Sequence, residues 1–401
     1  RLHEQIVKSL ERIPGIAIST VDIAIRHTGY HTEDDVRAKG KRNLAIQLRD
    51  LAEGNESAQQ LFYIAMSYHT VRDYGKCVEF ITRARQKSKE ETWYKYSFNL
   101  ATECYVKLGR TDEAIMESLD GTSLFPSSGK MHYNHGAVLM KAGRHESALK
   151  ALREAARLGI EVDAFPTPPH INATMHQYTG LCLEQLGRHG EAVKAFRRSV
   201  QNNPSWAPSL KSLGLALIRQ GDVDEALAYL EKARELTPEF DPALCMSLAR
   251  TYQFLKRWPE AHGIYRETVQ AMPTNRDALA GTIQTAMAVD DVDSLVWALD
   301  RFMKSLGMNT DREIGSIEEL AGLCTDVGER LMEEGDLPAG KKLFDAALAL
   351  DGTCWRASLL SSDLALAEMN TQEAVRFLEM ALRSGAPLNE VESRMRTLEN
   401  K

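Results

Sequence analysis

The chain has 401 residues, of which 43% are hydrophobic and 26% charged, a balance typical of a folded, water-soluble protein. Lys and Arg total 49 against 56 Asp and Glu, and the net charge of −7 argues against nucleic-acid or anionic-membrane binding. There is no apolar run near the roughly 18 residues of a membrane span, no signal-peptide core at the first residues and no CxxC among six scattered cysteines. We therefore expect a cytoplasmic protein with no metal site, and no cofactor bound by this chain.

Residues 1–57 combine a strand pattern with a helix pattern. Val21, Ile23 and Ile25 alternate with Asp22, Ala24 and Arg26, which predicts a half-buried strand, and residues 17–20 suggest a shorter one. A helix then runs to about residue 54, with four apolar residues expected to be buried: Val36, Leu44, Leu48 and Leu51. Because two short strands cannot form a stable sheet alone, we expect them to be the edge of a domain whose body lies upstream of Arg1.

From residue 58 to about residue 388 one pattern recurs. A small residue is followed twelve positions later by a second small residue, and four positions further by a bulky apolar one, as in Gly180, Ala192 and Phe196. The second small residue returns mostly at steps of 34 or 35. The pattern predicts antiparallel helix pairs that pack closely at the small residues. Five glycines fall where the first helix of a pair should end in a left-handed turn: Gly109, Gly143, Gly187, Gly221 and Gly335.

This repeat resembles the tetratricopeptide repeat, a helix-turn-helix unit of 34 residues. The resemblance implies an all-α fold, a solenoid (superhelix) of about nine repeats, preceded here by the short α/β segment of residues 1–57. The unit near 276–307 is degenerate, and insertions are expected near 159–170 and 304–318. Residues 389–401 are predicted to form a helix that caps the array.

Binding is the activity that the repeat predicts. In such an array the concave surface is lined by residues three before, one after and four after the first small residue. Applied at Gly136, Gly180, Gly214 and Ala249, this rule selects twelve positions. Eight of them are taken as partner-binding candidates: Tyr133, Gln177, Leu181, Lys211, Leu215, Ile218, Met246 and Arg250. Their mixture of apolar and polar side chains suits a peptide or a protein partner held in the groove. A homo-oligomer is also compatible with this surface.

Short motifs in the first 57 residues resemble a second family. Arg-Leu-His-Glu at 1–4, His-Thr-Gly-Tyr at 27–30 and Lys-Arg-Asn at 41–43, ahead of the repeats, are similar to the junction in family-2-type glycosyltransferases with a tetratricopeptide tail. The resemblance implies that His3 and Glu4 are remnants of a catalytic site, and that Mn or Mg serves the parent enzyme. No nucleotide-binding βαβ pattern is present, so this chain alone is not expected to be catalytic.

Two functions therefore stay open. The first is the protein-interaction or acceptor-binding region of a nucleotide-sugar-dependent glycosyltransferase whose catalytic domain is largely missing from this chain. The alternative is a non-enzymatic scaffold that binds a peptide or partner protein in its concave groove.

Overall fold

The computed structural model describes residues 33–89, 92–160, 170–308 and 315–399. All regular secondary structure in these ranges is helical, and it comprises twenty helices. The prediction of an all-α repeat fold is confirmed. Within these ranges, none of the helices is both long enough and apolar enough to cross a membrane. The chain divides into two compact units, one ending at Pro204 and the other beginning at Ser205.

The first unit contains nine of these helices. They are α1 (Glu33–Ala52), α2 (Ala58–Thr70), α3 (Tyr74–Lys87), α4 (Thr92–Lys107), α5 (Thr111–Leu124), α6 (Gly129–Lys141), α7 (His145–Leu158), α8 (Ile171–Gln185) and α9 (His189–Asn202). Apart from α1, they pack as the hairpins α2/α3, α4/α5, α6/α7 and α8/α9, and each hairpin packs on the next.

The second unit contains the remaining eleven helices. They are α10 (Ala207–Gln220), α11 (Val223–Glu235), α12 (Pro242–Phe254), α13 (Trp258–Ala271), α14 (Arg276–Ala288), α15 (Val292–Ser305), α16 (Ile317–Glu333), α17 (Leu337–Leu350), α18 (Trp355–Ala367), α19 (Thr371–Arg383) and α20 (Leu388–Glu399). Five hairpins, from α10/α11 to α18/α19, are followed by the single helix α20.

Small residues bring the two helices of a hairpin together, as the repeat pattern predicts. A Cβ placed on Gly136 would lie 2.7 Å from Cγ of Leu152, and one on Gly180 would lie 2.6 Å from Cδ1 of Phe196. Both distances are far below normal carbon–carbon contact, so neither site accommodates a larger side chain without displacement. The bulky residue of the repeat thus fills the space that the glycine leaves open.

The turns between the paired helices use left-handed backbone. The five predicted turn glycines all have positive φ, between 71° and 90°. Four turns use other residues in the same conformation: Arg72, Lys256, Asp290 and Met369, with φ between 56° and 66°. A residue with a Cβ is strained there, so these turns are held by the packing of the helices around them.

Helix α1 packs on α2 through Leu44, Leu48 and Leu51, each partly buried. Ser67 of α2 donates a hydrogen bond to Gln47 Oε1 at 2.7 Å, and both side chains are buried. The expectation that Val36 is buried was wrong, because this first turn of α1 extends beyond α2 and leaves Val36 exposed. The predicted strand at 21–26 lies outside the described residues.

The degenerate repeat changes how the second unit stacks. Helix α14 packs against α17 as well as against its neighbours α13 and α15, whereas α15 makes much less contact with α16. Arg276 at the start of α14 pairs with Glu334 in the α16/α17 turn. The hairpin that follows the second insertion therefore joins the stack through its second helix. Residues 309–314 of that insertion, and 161–169 of the first, lie outside the described ranges.

Helix α20 covers the last hairpin of the second unit. Val391 is buried and Leu398 is partly buried against α18 and α19, while Met395 is exposed. Arg394 donates two hydrogen bonds to the Asp363 carboxylate on α18, at 2.8 and 2.9 Å. This paired geometry fixes the end of α20 to α18.

Candidate functional site: the inner cleft of the first unit

A cleft of about 530 Å³ lies along one face of the first unit, and we call it the inner cleft. Its wall is formed by the first helices of four successive hairpins, from Phe62 on α2 through Asn99 on α4 and Tyr133 on α6 to Tyr178 on α8. Its volume lies within the range of about 300–1,000 Å³ usual for ligand sites. Because the wall is built from one helix of each of four repeats, the regular stacking of hairpins creates the cleft.

The rule for concave positions selects part of the residues that line the cleft. Counted from the small residue Ala65 on α2, it selects Phe62, Met66 and His69, and all three line the cleft. Counted from Thr102, which takes the small-residue position on α4, it selects Asn99, Glu103 and Val106, which also line it. Sequence reasoning missed these six because the rule was applied only from the third hairpin onward, although the signal was present in both upstream repeats.

Aromatic side chains form much of the wall. Phe62 stacks on Trp93 with ring centroids 5.2 Å apart. Tyr133 and Tyr178, on α6 and α8, stack nearly parallel with centroids 6.2 Å apart. Burial raises the pKa of both tyrosines, with the neighbouring Tyr178 adding to the effect on Tyr133, so both hydroxyls stay protonated at neutral pH. The wall thus offers flat apolar surface with hydroxyl groups that can donate hydrogen bonds.

Three polar atoms in the wall lack a hydrogen-bond partner among the residues that the structure describes: Nε2 of His69, which faces Glu103 at 3.4 Å, and Nδ2 of Asn99 and Oγ1 of Thr102. The last two are buried atoms, and the Thr102 residue is only 4% exposed. Leaving such a group unsatisfied costs about 1–3 kcal/mol. Native proteins usually satisfy buried polar groups, so these two atoms mark places where a bound molecule would gain hydrogen bonds.

The charged groups of the cleft are mainly basic. Lys107, Lys130 and Lys141 line it together with the single carboxylate of Glu103. His69 Nε2 lies 3.4 Å from Glu103 Oε1. The contact with His69 holds the pKa of Glu103 below its usual value, and the charges of Lys107 and Lys141 act in the same direction.

A second hollow, of about 690 Å³, lies among α3, α4 and α5. Its most buried polar group, Arg85, already binds Glu117 at 2.6 Å and lies 3.8 Å above the ring of Phe98. These contacts join three helices of the repeat. We therefore assign Arg85 a structural role and take the inner cleft as the candidate site.

Comparison with known protein families agrees with this architecture. Two tetratricopeptide-repeat family models match the chain, one at residues 217–284 and the other at residues 133–205 and 326–388. The matched segments together span about half of the chain and fall in both units. The chain is a tetratricopeptide repeat protein.

Solved structures of several repeat proteins are similar in fold to this tetratricopeptide protein. PilF of Pseudomonas aeruginosa is 19% identical, with a TM-score of 0.43 over 52% of this chain and 90% of its own. PilW, a type IV pilus biogenesis factor, is 19% identical, with a TM-score of 0.46 over 55% of this chain and 96% of its own. YrrB, described as having an unusual peptide-binding site, is 20% identical, with a TM-score of 0.41 over 50% and 97%. Among curated proteins, none matches the sequence. None of these matches supports the glycosyltransferase resemblance of residues 1–57.

The eight predicted partner-binding residues fall in both units of the tetratricopeptide array. In the first unit Tyr133 lines the inner cleft, while on α8 Gln177 is buried and Leu181 is half-buried. The predicted catalytic remnants, His3 and Glu4, lie outside the described residues.

In the second unit the predicted cations already bind carboxylates. Lys211 Nζ lies 2.6 Å from Asp241 Oδ2, and Arg250 lies 2.9 Å from Asp277 Oδ2. The other three predicted residues of this unit, Leu215, Ile218 and Met246, are half-buried. A ligand of the two cations would therefore compete with carboxylates of the neighbouring helices.

The histidines of α6 bind protein atoms rather than gathering into a cluster. His135 Nδ1 lies 2.9 Å from Ser118 Oγ, and His132 Nε2 lies 2.9 Å from the carbonyl oxygen of Pro126. Over the described ranges, no group of three or more His, Cys, Asp or Glu side chains is arranged to hold a metal ion.

Proposed function

We propose that this tetratricopeptide protein is an interaction scaffold that binds an extended segment of another protein in the inner cleft. The observation that carries the proposal is the combination of an aromatic wall with the buried, unpartnered polar atoms of Asn99 and Thr102. Apolar walls with a few fixed polar groups are typical of sites that bind and orient a ligand.

The dimensions of the wall favour a peptide over a compact small molecule. Packed helices lie about 8–10 Å apart, so four inner helices span on the order of 27 Å. An extended chain covers that distance with about eight residues. The amide of Asn99 can donate to a peptide carbonyl, and the faces of Tyr133 and Phe62 can contact its side chains.

The predicted positions of the second unit provide a second proposed contact surface. Leu215, Ile218 and Met246 would contact apolar side chains of the same or another partner, and Lys211 and Arg250 would contact it at the edges. We rank this surface below the inner cleft because both cations already have carboxylate partners.

The proposal is tested by panning a library of random twelve-residue peptides on the whole chain. Ala137 is half-buried in the floor of the cleft, so Ala137→Trp should fill the cleft and prevent recovery of the peptides that the wild-type chain enriches. Ala156→Trp is the matched control, since Ala156 is exposed on α7, the second helix of the same hairpin. Peptides that bind the wild type and the Ala137→Trp variant equally would contradict the proposal.

The glycosyltransferase function rests on the short motifs of residues 1–57 and stays a separate prediction. The catalytic roles of His3 and Glu4, and the use of Mn or Mg by the parent enzyme, belong to that prediction. Incubating the chain with nucleotide sugars and manganese tests it. We expect no nucleotide release above a blank, because the sequence has no donor-binding βαβ pattern. Release that His3→Ala abolishes would establish the enzymatic function instead.

A further inference from the structure

The inner cleft differs in charge from the chain as a whole. The chain carries a net charge of −7, yet three lysines and one glutamate line the cleft, together with His69. Charge of one sign gathered in a cleft with apolar walls acts strongly on a ligand, because the walls exclude part of the screening solvent. The excess of positive charge is therefore a property of this site and not of the composition.

Lys130 is fixed in the wall of the cleft. The residue is only 6% exposed, and its Nζ lies over the ring of Tyr96, 5.1 Å from the centroid. The contact with Tyr96 restricts where its ammonium group can lie.

Lys107 and Lys141 lie at the exposed edge of the cleft, on successive inner helices. The charge of each acts on the same carboxylate, Glu103, which His69 also contacts. In the described part of the chain, neither lysine forms an ion pair within 4 Å. Two cations thus share one carboxylate that His69 also contacts, and the edge keeps a positive excess.

We propose that the segment bound in the inner cleft is acidic, with Asp or Glu side chains directed at Lys107 and Lys141 and an aromatic or aliphatic side chain against the wall. This inference rests on the proposed function and names the chemistry of its ligand. Asn99 Nδ2 and Thr102 Oγ1 belong to residues that line the same cleft as these lysines, and they can donate to the backbone carbonyls of such a segment.

The test uses a defined probe, a fluorescein-labelled decapeptide, acetylated and amidated, with four Glu, one Phe and one Leu among Gly and Ser. The control peptide has the same sequence with Gln in place of each Glu. At 50 mM salt, fluorescence anisotropy should show the Glu peptide binding at least tenfold more tightly than the Gln peptide. The difference should shrink at 300 mM salt, because salt screens exposed charges.

A pair of double variants localises the effect. Lys107→Gln with Lys141→Gln should weaken binding of the Glu peptide about tenfold and leave that of the Gln peptide unchanged. Lys150→Gln with Lys194→Gln removes the same net charge from exposed positions on α7 and α9, and should leave both affinities unchanged.

The outcomes separate this inference from the proposed function. Equal affinity for the Glu and Gln peptides, or equal weakening by the two double variants, overturns the acidic ligand. If library peptides that require an open cleft prove neutral or basic, the acidic ligand is also overturned while the proposed function stands. If no library peptide depends on the cleft, the proposed function itself fails.

Discussion

Replacing Gly180 with Ala should show how closely the two helices of a repeat approach. Gly180 lies inside α8, and a Cβ there would lie 2.6 Å from Cδ1 of the fully buried Phe196 ring. In an open helix, Gly→Ala stabilises by about 1 kcal/mol through helix propensity. Overpacking a core contact costs about 1–3 kcal/mol, and a buried ring has little freedom to move. We therefore expect Gly180→Ala to leave the free energy of unfolding unchanged or to lower it by up to about 2 kcal/mol.

Gly75→Ala is the matched comparison within the same unit. Gly75 lies in the first turn of α3, with no side chain or neighbouring backbone within 4 Å of a Cβ built on it. Its replacement should leave stability unchanged or raise it by up to about 1 kcal/mol. Urea unfolding followed by circular dichroism measures both variants. If Gly180→Ala stabilises as much as Gly75→Ala, the close contact with Phe196 does not exist and the assigned helix pairing is wrong.

Three further predictions concern stability. Burial lowers the pKa of His135 and His176 below the ordinary 6.5, so the unfolded chain binds more protons than the folded chain as the pH falls. The melting temperature should therefore fall as the pH drops from 7 to 5.5. The double variant His135→Gln with His176→Gln should show a smaller fall. Arg85→Met should leave the largely buried carboxylate of Glu117 unpaired and lower the free energy of unfolding, measured in urea, by on the order of 3 kcal/mol. A loss below about 1 kcal/mol would show that the pair behaves as a surface contact. Met369→Gly should raise stability by about 1 kcal/mol, since Met369 has a φ of 59° and is 84% exposed, and a loss of stability would contradict the assigned left-handed turn.

The repeat architecture could be predicted from the sequence because each part of it has a local signal. The spacing of Gly180, Ala192 and Phe196 records where two helices touch, and a turn glycine such as Gly187 records a left-handed residue between them. Turns without glycine lack that signal. Asp290 adopts the same conformation only because the helices on either side are already packed.

Long-range packing gave no comparable signal. The contact between α14 and α17 joins helices separated by two other helices and an insertion, so no repeat spacing records it. The inner cleft was predictable in part, since the concave-position rule selects Tyr133 and, if extended upstream, Phe62 and Asn99. The positive charge at the cleft was not predictable, because Lys107 and Lys141 stand one position beyond those that the rule selects.

Photo-crosslinking from inside the cleft is the most direct test of the proposed function. The photoreactive residue p-benzoylphenylalanine replaces Tyr133 in one variant and Phe254, which is 72% exposed in the second unit, in the other. Each variant is irradiated with a peptide selected by panning on the wild-type chain. The proposal predicts a crosslink to the peptide from position 133 and none from position 254. A crosslink from position 254 alone, or equal yields from both positions, would contradict binding in the inner cleft.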